Sequence, residues 1–219
     1  ATKIQANQAN QLPAPSLYSN STQVARFDSV PWIQHARLIL KVSLNLGANV
    51  ALSQFGLEKG ESSLQGALMA ERRALEEEFS IEGSLFSFPT NGSGTPDSQA
   101  APKALVDFLV GMARSDVGEA YQSCLPILGV DGSLATTGKS LPGRGHVFAK
   151  TGTSILPDGD GQLRLKAQCL AGYIQTRSGR KVAYALMVND AGTVRDIATD
   201  VGSVFEDEAL ISSIIYEEL

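Results

Sequence analysis

The stretch that decides the fold lies in the second half of the chain. It reads Cys169-Leu170-Ala171-Gly172-Tyr173-Ile174, then Arg177-Ser178-Gly179-Arg180-Lys181, then Val182-Ala183-Tyr184-Ala185-Leu186-Met187-Val188. Two apolar runs flank a basic turn that contains glycine, which is typical of an antiparallel hairpin. A further strand is predicted upstream, where the chain reads Val147-Phe148-Ala149-Lys150-Thr151-Gly152-Thr153.

Helical periodicity dominates the first half of the chain. Apolar residues recur over residues 32–52 in two helical stretches, which meet around Lys41-Val42-Ser43. Ser62 and Ser63 are placed to cap a third helix, and Pro102 is placed to open a fourth. These signals predict helices before the sheet.

The order of the elements predicts an α+β fold, because helices come first, an antiparallel sheet follows and residues 194–218 form a closing helix. Residues 1–30 are predicted as an extended lead-in and residues 87–100 as a loop, since both are rich in polar and turn-forming residues. Residues 31–219 are predicted to be the C-terminal part of a single domain, with 31–128 mainly helical and 129–219 mainly sheet plus the final helix.

Composition excludes several classes of protein. The 219 residues carry a net charge of −5 with no basic cluster, which argues against nucleic-acid binding. No run of about 18 apolar residues is present, so we predict no transmembrane segment. The first six residues lack the apolar core of a signal peptide, although such a signal could have been removed.

The residues that most often bind metals are sparse. His35 and His146 have no second ligand at a metal-like spacing, so both are interpreted as structural and no metal or organic cofactor is predicted. Cys124 and Cys169 are interpreted as two buried small side chains, although one bridge between them stays open. The segment from Thr136 to Ser140 resembles a phosphate-binding loop but lacks its first glycine.

Two short motifs carry the chemistry in combination. Ser43-Leu44-Asn45 lies where two helices meet, and Lys150-Thr151-Gly152-Thr153 lies on a predicted strand. They resemble the second and third motifs, S-x-N and K-T-G, of penicillin-recognising acyl-serine enzymes. Further stretches extend the similarity to the S13 family of D-alanyl-D-alanine carboxypeptidases, the class C low-molecular-weight penicillin-binding proteins. They are Asn91-Gly92-Ser93-Gly94, Gly129-Val130-Asp131-Gly132-Ser133-Leu134 and Gly145-His146-Val147-Phe148-Ala149-Lys150-Thr151-Gly152-Thr153.

This resemblance implies a partial penicillin-binding-protein fold, like that of serine β-lactamases and transpeptidases, and a role for each motif residue. Ser43 is expected to pass a proton to the leaving amine, and Asn45 to bind the substrate carbonyl and hold the motif-one lysine. Lys150 and the hydroxyls of Thr151 and Thr153 are expected to bind the substrate carboxylate. Gly152 leaves room for the substrate, and the Thr153 N–H serves the oxyanion hole.

The nucleophile motif S-x-x-K is missing before Ser43. The one literal match, Ser178-Gly179-Arg180-Lys181, lies in the predicted hairpin turn, where Ser and Lys do not share a helix face, and is rejected. The chain is therefore interpreted as the C-terminal part of a longer serine D,D-peptidase, inactive alone, with its missing N-terminal part as a partner.

The resemblance also implies the substrate and the cell compartment. Peptidoglycan stem peptides and β-lactams are the expected ligands, in the periplasm or cell envelope. Two alternatives stay open: a catalytically silent module that binds muropeptides or a partner protein, and a β-lactamase or esterase on the same fold.

Overall fold

A computed structural model of the chain describes residue 25, residues 28–90 and residues 96–219. The lead-in predicted for residues 1–30 lies mostly outside the described residues, and the motif Asn91-Gly92-Ser93-Gly94 lies wholly outside them. In the part of the chain that is described, no helix has the length and apolarity needed to cross a membrane.

The described elements follow the predicted order of helices, sheet and final helix. The helices are α1 (Trp32–Val42), α2 (Asn45–Glu58), α3 (Leu64–Glu77), α4 (Pro102–Arg114), α5 (Gly118–Cys124) and α6 (Gly202–Glu218). The strands are β1 (Phe86–Ser87), β2 (Gln99–Ala100), β3 (Val147–Pro157), β4 (Leu163–Gln175) and β5 (Lys181–Thr193). Short 3₁₀ turns cover Gly83–Leu85 and Gly132–Leu134, and one π turn covers Ile197–Val201.

The local signals for helix ends are confirmed. The Ser63 hydroxyl accepts a hydrogen bond from the Gly66 N–H at 3.0 Å and caps α3, and Pro102 is the first residue of α4. Two predictions need correction. The loop predicted for residues 87–100 begins and ends in the small pair of β1 with β2. The closing helix does not start at residue 194 but with the π turn at Ile197, since residues 194–196 are not helical.

The main sheet has the order β3-β4-β5 with both pairs antiparallel, as the hairpin signal predicts. Both hairpin strands are longer than the apolar runs in the sequence. A bulge between Ser154 and Ile155 interrupts the pairing of β3 with β4 after the Thr-rich segment. The segment around Leu128, which precedes β3, pairs with the edge of β3 that faces away from β4. Its Leu128 N–H donates to the Val147 carbonyl at 3.0 Å.

Helices cover both faces of the sheet. On one face, α6 packs through Ala209 onto a buried cluster that contains Leu128, Leu134, Val147, Ala149, Leu170, Ile174 and Tyr184. On the other face, side chains of α1, α4 and α5 pack against Phe148, Ala171, Tyr173 and Ala183. The result is a three-layer arrangement in which β3 lies at an edge, between the early helices and the C-terminal helix.

The cysteines, His146 and Ser178, to which the sequence analysis assigns no catalytic role, pack within the fold or lie in a turn. Cys124 is buried and Cys169 half-buried, and both are free thiols. The His146 ring stacks on Tyr216 with 4.7 Å between ring centroids. Ser178 lies in the turn between β4 and β5, where its hydroxyl contacts the Leu219 carbonyl, so the prediction that it occupies a hairpin turn is confirmed.

Candidate active site

Ser43 sits in the short turn that joins α1 to α2. Its φ of 56° lies in the left-handed region, which costs an L-residue on the order of 1–2 kcal/mol. The Leu44 N–H donates back to the Ile39 carbonyl at 3.0 Å, which closes the turn before α2 begins at Asn45. Both Ser43 and Asn45 are exposed. The turn therefore presents the S-x-N side chains to the surroundings instead of burying them in the helical layer.

Lys150 extends from β3 toward this turn. Its Nζ donates to the Ser43 Oγ at 2.8 Å, across 107 residues of sequence, and to the Thr151 carbonyl at 2.6 Å. Burial lowers the pKa of the Lys150 ammonium to about 8. None of the ion pairs formed between described residues involves Lys150. A half-buried ammonium with neutral partners is a site that favours an incoming anion.

The backbone of the Thr-rich segment directs hydrogen-bonding groups to the free edge of the sheet. Backbone N–H groups of successive strand residues point to opposite edges of a sheet, so every second residue points to the same edge. The Ala149 N–H donates outward to the Pro126 carbonyl at 2.9 Å. Thr151 and Thr153 continue this alternation before the bulge at Ser154, so their N–H groups point away from β4. Two backbone donors are thus placed along one edge, on the strand that carries the ammonium.

The two threonine hydroxyls have partners within the protein. The Thr151 Oγ1 shares a hydrogen bond of 2.9 Å with the Ser133 Oγ. The Thr153 Oγ1 donates to the Oε1 of Gln168, directly opposite on β4, at 2.7 Å. A hydroxyl carries a single proton. In this conformation Thr153 therefore directs its proton to Gln168, and its N–H remains the donor that faces the edge.

Gly152 leaves a space that the protein does not fill. A Cβ built at this position would meet only the Cβ of Cys169, at 3.8 Å, which is ordinary van der Waals contact. The packing of the described residues therefore does not require a glycine there. Because Gly152 lies on the same face of β3 as Lys150, its missing side chain opens the strand next to the ammonium.

Several residues that lie close to the motif residues belong to neither the S-x-N nor the K-T-G motif. Gln168 is fully buried, and its Nε2 donates to the Oε2 of Glu208 on α6 at 3.4 Å. Lys41 pairs with Asp131, which the sequence marked only as part of a motif. The partners in these pairs are 40 and 90 residues apart, so local pattern could not have connected them.

Comparison with known proteins identifies the family. The model of the family described as D-Ala-D-Ala carboxypeptidase 3 (S13) matches residues 7–207. The chain belongs to the S13 family. The family resemblance inferred from the motifs is therefore confirmed. A search of curated proteins found no match.

Solved structures show the same fold as this S13 chain. One is penicillin-binding protein 4 from Haemophilus influenzae in complex with a β-lactam, with 21% identity, a TM-score of 0.65, and coverage of 84% of this chain and 41% of that chain. Another is the predatory endopeptidase Bd0816 from Bdellovibrio bacteriovorus in complex with an immunity protein, with 19% identity, a TM-score of 0.57, and coverage of 82% and 43%.

A third structure is the Bdellovibrio bacteriovorus endopeptidase Bd3459 acylated by penicillin G, with 17% identity, a TM-score of 0.56, and coverage of 84% and 44%. At such identities the matches establish the fold. They confirm the α+β class with helices, an antiparallel sheet and a C-terminal helix. The S13 chain spans about two fifths of the length of these structures.

Proposed function

We propose that this chain supplies the S-x-N and K-T-G parts of a serine D,D-peptidase, whose S-x-x-K motif lies outside these 219 residues. The complete enzyme cleaves the terminal D-alanyl-D-alanine bond of peptidoglycan stem peptides, in the periplasm or cell envelope. The observation that carries the proposal is the 2.8 Å contact between Lys150 Nζ and Ser43 Oγ, which brings the two motifs together.

The Lys150 ammonium and the open strand at Gly152 favour a peptide with a terminal carboxylate. With a pKa of about 8, Lys150 is mostly charged at pH 7 and attracts that carboxylate. The substrate backbone lies along the edge of β3, where the Thr153 N–H points outward. That N–H binds the carbonyl oxygen as it gains negative charge, which is the task of an oxyanion-hole donor.

Proton transfer in the proposed reaction passes through Ser43. The serine of S-x-x-K, with the lysine of that motif as its base, attacks the carbonyl carbon of the penultimate residue. The bond to the terminal D-alanine nitrogen breaks, and Ser43 conveys the proton that the departing amine takes up. Asn45 offers its amide to the substrate carbonyl and holds the motif-one lysine. Water then hydrolyses the acyl-serine ester.

Labelling with a fluorescent penicillin tests the proposal. We expect no covalent label on the 219-residue chain alone and labelling of a protein that joins it to its S-x-x-K segment. In that protein, Lys150→Met should slow labelling about tenfold to a hundredfold, because hydrogen bonds to charged groups contribute about 1.5–3 kcal/mol. Lys166→Met is the matched control, since Lys166 lies on β4 and pairs with Asp190 at 2.8 Å.

Two results would contradict this function. Labelling of the isolated chain would require a nucleophile within it, and Ser43 and Ser178 would then be the residues to substitute. A complete protein that binds a muropeptide but is never acylated would instead favour the silent binding module.

A further inference from the structure

A partly buried ion pair lies next to the S-x-N turn and outside the S-x-N and K-T-G motifs. The Lys41 Nζ contacts both carboxylate oxygens of Asp131 at 2.6 Å, and the Lys41 side chain is 14% exposed while that of Asp131 is 41% exposed. In each of the other ion pairs between described residues, both side chains are at least 31% exposed. The Asp131 Oδ1 also accepts the Ile127 N–H at 2.9 Å, which fixes the carboxylate from a second side.

The pair connects the two elements that form the site. Lys41 is in the last turn of α1, two residues before Ser43. Asp131 follows a segment that is bonded to β3, where Ile127 bridges to Phe148. On the same loop, Ser133 binds the hydroxyl of Thr151. One partner therefore belongs to the helix that carries Ser43, and the other to the loop fixed to the strand of Lys150.

The backbones of these elements also approach closely at Gly132. This residue has a φ of 61°, and a Cβ there would lie 2.6 Å from the carbonyl oxygen of Lys41. Both the conformation and the space therefore require glycine. The ion pair thus lies beside a close backbone contact between the end of α1 and the loop.

We propose that Lys41 and Asp131 are positioning residues that hold the Ser43 hydroxyl against Lys150. The proposal rests on the proposed function, because it assigns the pair to the step in which Ser43 moves a proton. Ser43 lies in an exposed turn with a left-handed backbone, so the turn needs a fixed support to keep one geometry. The ion pair supplies that support at the residue where α1 is about to end.

Steady-state kinetics of the protein that includes the S-x-x-K segment tests this role. We expect Asp131→Asn to lower kcat for a D-alanyl-D-alanine peptide at least about tenfold, because misplacement by about 1 Å can cost about a hundredfold. KM should change less than about threefold, since Lys150 still binds the carboxylate. Lys41→Arg keeps a bidentate pair with the carboxylate and should retain most of kcat.

A double-mutant cycle separates positioning from general stability. If the pair acts through Ser43, Asp131→Asn in a Ser43→Ala background should lower kcat no further. Asp107→Asn is the control, since it breaks an exposed pair with Lys103 of the same 2.6 Å length on α4. An equal loss of kcat with and without Ser43, or no loss in the parent protein, would overturn the proposal. An unmodified protein that neither hydrolyses the peptide nor reacts with penicillin would instead refute the proposed function.

A measurement on the 219-residue chain needs no activity. The double variant Lys41→Met, Asp131→Asn removes both charges, so it adds no net charge near Lys150. Once the turn is released, water reaches the ammonium, and the pKa of Lys150, followed by NMR, should rise from about 8 by about one unit or more toward 10.5. An unchanged pKa in a folded double variant would overturn the proposal. Where that variant does not fold, the double variant Lys41→Gln, Asp131→Asn is measured instead, because it also removes both charges and adds no net charge near Lys150.

Discussion

Glu208 gives the chain a pH-dependent stability that a single substitution should remove. This residue lies on α6 under the sheet and is 1% exposed. The Gln168 amide reaches one of its oxygens at 3.4 Å, and the other oxygen has no hydrogen-bond partner among the described residues. Burial raises the pKa of the Glu208 carboxyl from 4.5 to about 7. Tyr184 and Cys169 also face it and are neutral at that pH, because burial raises the pKa of each.

The sign of the effect follows from the raised pKa. The folded state binds the proton of Glu208 more tightly than the unfolded state, so its contribution to stability is full below about pH 4.5. The contribution is lost as the pH rises through about 7. A difference of about 2.5 pKa units, at about 1.4 kcal/mol per unit, corresponds to about 3–4 kcal/mol in full, of which about 3 kcal/mol is lost between pH 4.5 and 8.5. Glu208→Gln keeps the shape of the side chain and removes this loss.

Urea unfolding at several pH values between 4.5 and 8.5 measures the effect. We expect the free energy of unfolding of Glu208→Gln, relative to the parent chain, to increase by about 3 kcal/mol from the lowest to the highest pH. Asp207→Asn is the control, because Asp207 is the neighbouring carboxylate on the same helix and is exposed. Parallel curves for the parent chain and Glu208→Gln would show that the carboxyl titrates alike in both states and would refute the reasoning.

Two further predictions concern β3. Binding of a D-alanyl-D-alanine peptide, followed by NMR, should weaken as the pH rises through about 8, because the Lys150 ammonium loses its charge there. Lys150→Arg should remove this pH dependence, and pH-independent binding by the parent chain would contradict the prediction. Gly152→Ala should slow penicillin acylation of the complete protein with little change in its melting temperature, because an added Cβ meets only Cys169 at 3.8 Å. A large loss of stability would show that the space is needed for packing.

The sequence was sufficient for elements whose signals are local. The Ser63 cap, Pro102 at the start of α4 and the basic hairpin turn each lie within a few residues of the structure they specify. The exact ends of the predicted loop and of the closing helix were harder to predict. The pairing of β1 with β2 joins residues on either side of a polar segment, and the π turn at Ile197 delays the last helix. Neither depends on the apolar periodicity that marks strands and helices.

The candidate site was predictable in its motif residues but not in what holds them. The S-x-N and K-T-G motifs could be recognised in the amino-acid sequence, and the contact of Lys150 with Ser43 brings them together in the structure. Their supports are single polar residues at distant positions, such as Asp131 and Gln168, whose role exists only once the chain is folded. Such pairs leave no periodic pattern, because each is a contact between one residue and one partner.

These supports reach the site from opposite sides of the sheet, and this gives each a different consequence. Lys41 on α1 and Asp131 on the loop before β3 form their ion pair beside Ser43, so under the proposed function their loss should appear in kcat. Gln168 acts from the layer under α6 on Thr153, whose hydroxyl proton it accepts while the Thr153 N–H faces the free edge. Gln168 also donates to the Glu208 carboxyl, so one amide links that carboxyl to the Thr153 hydroxyl on β3. The Glu208 carboxyl is thereby joined to Thr153 on one face of the sheet, whereas the Lys41 and Asp131 pair lies beside Ser43 at the end of α1.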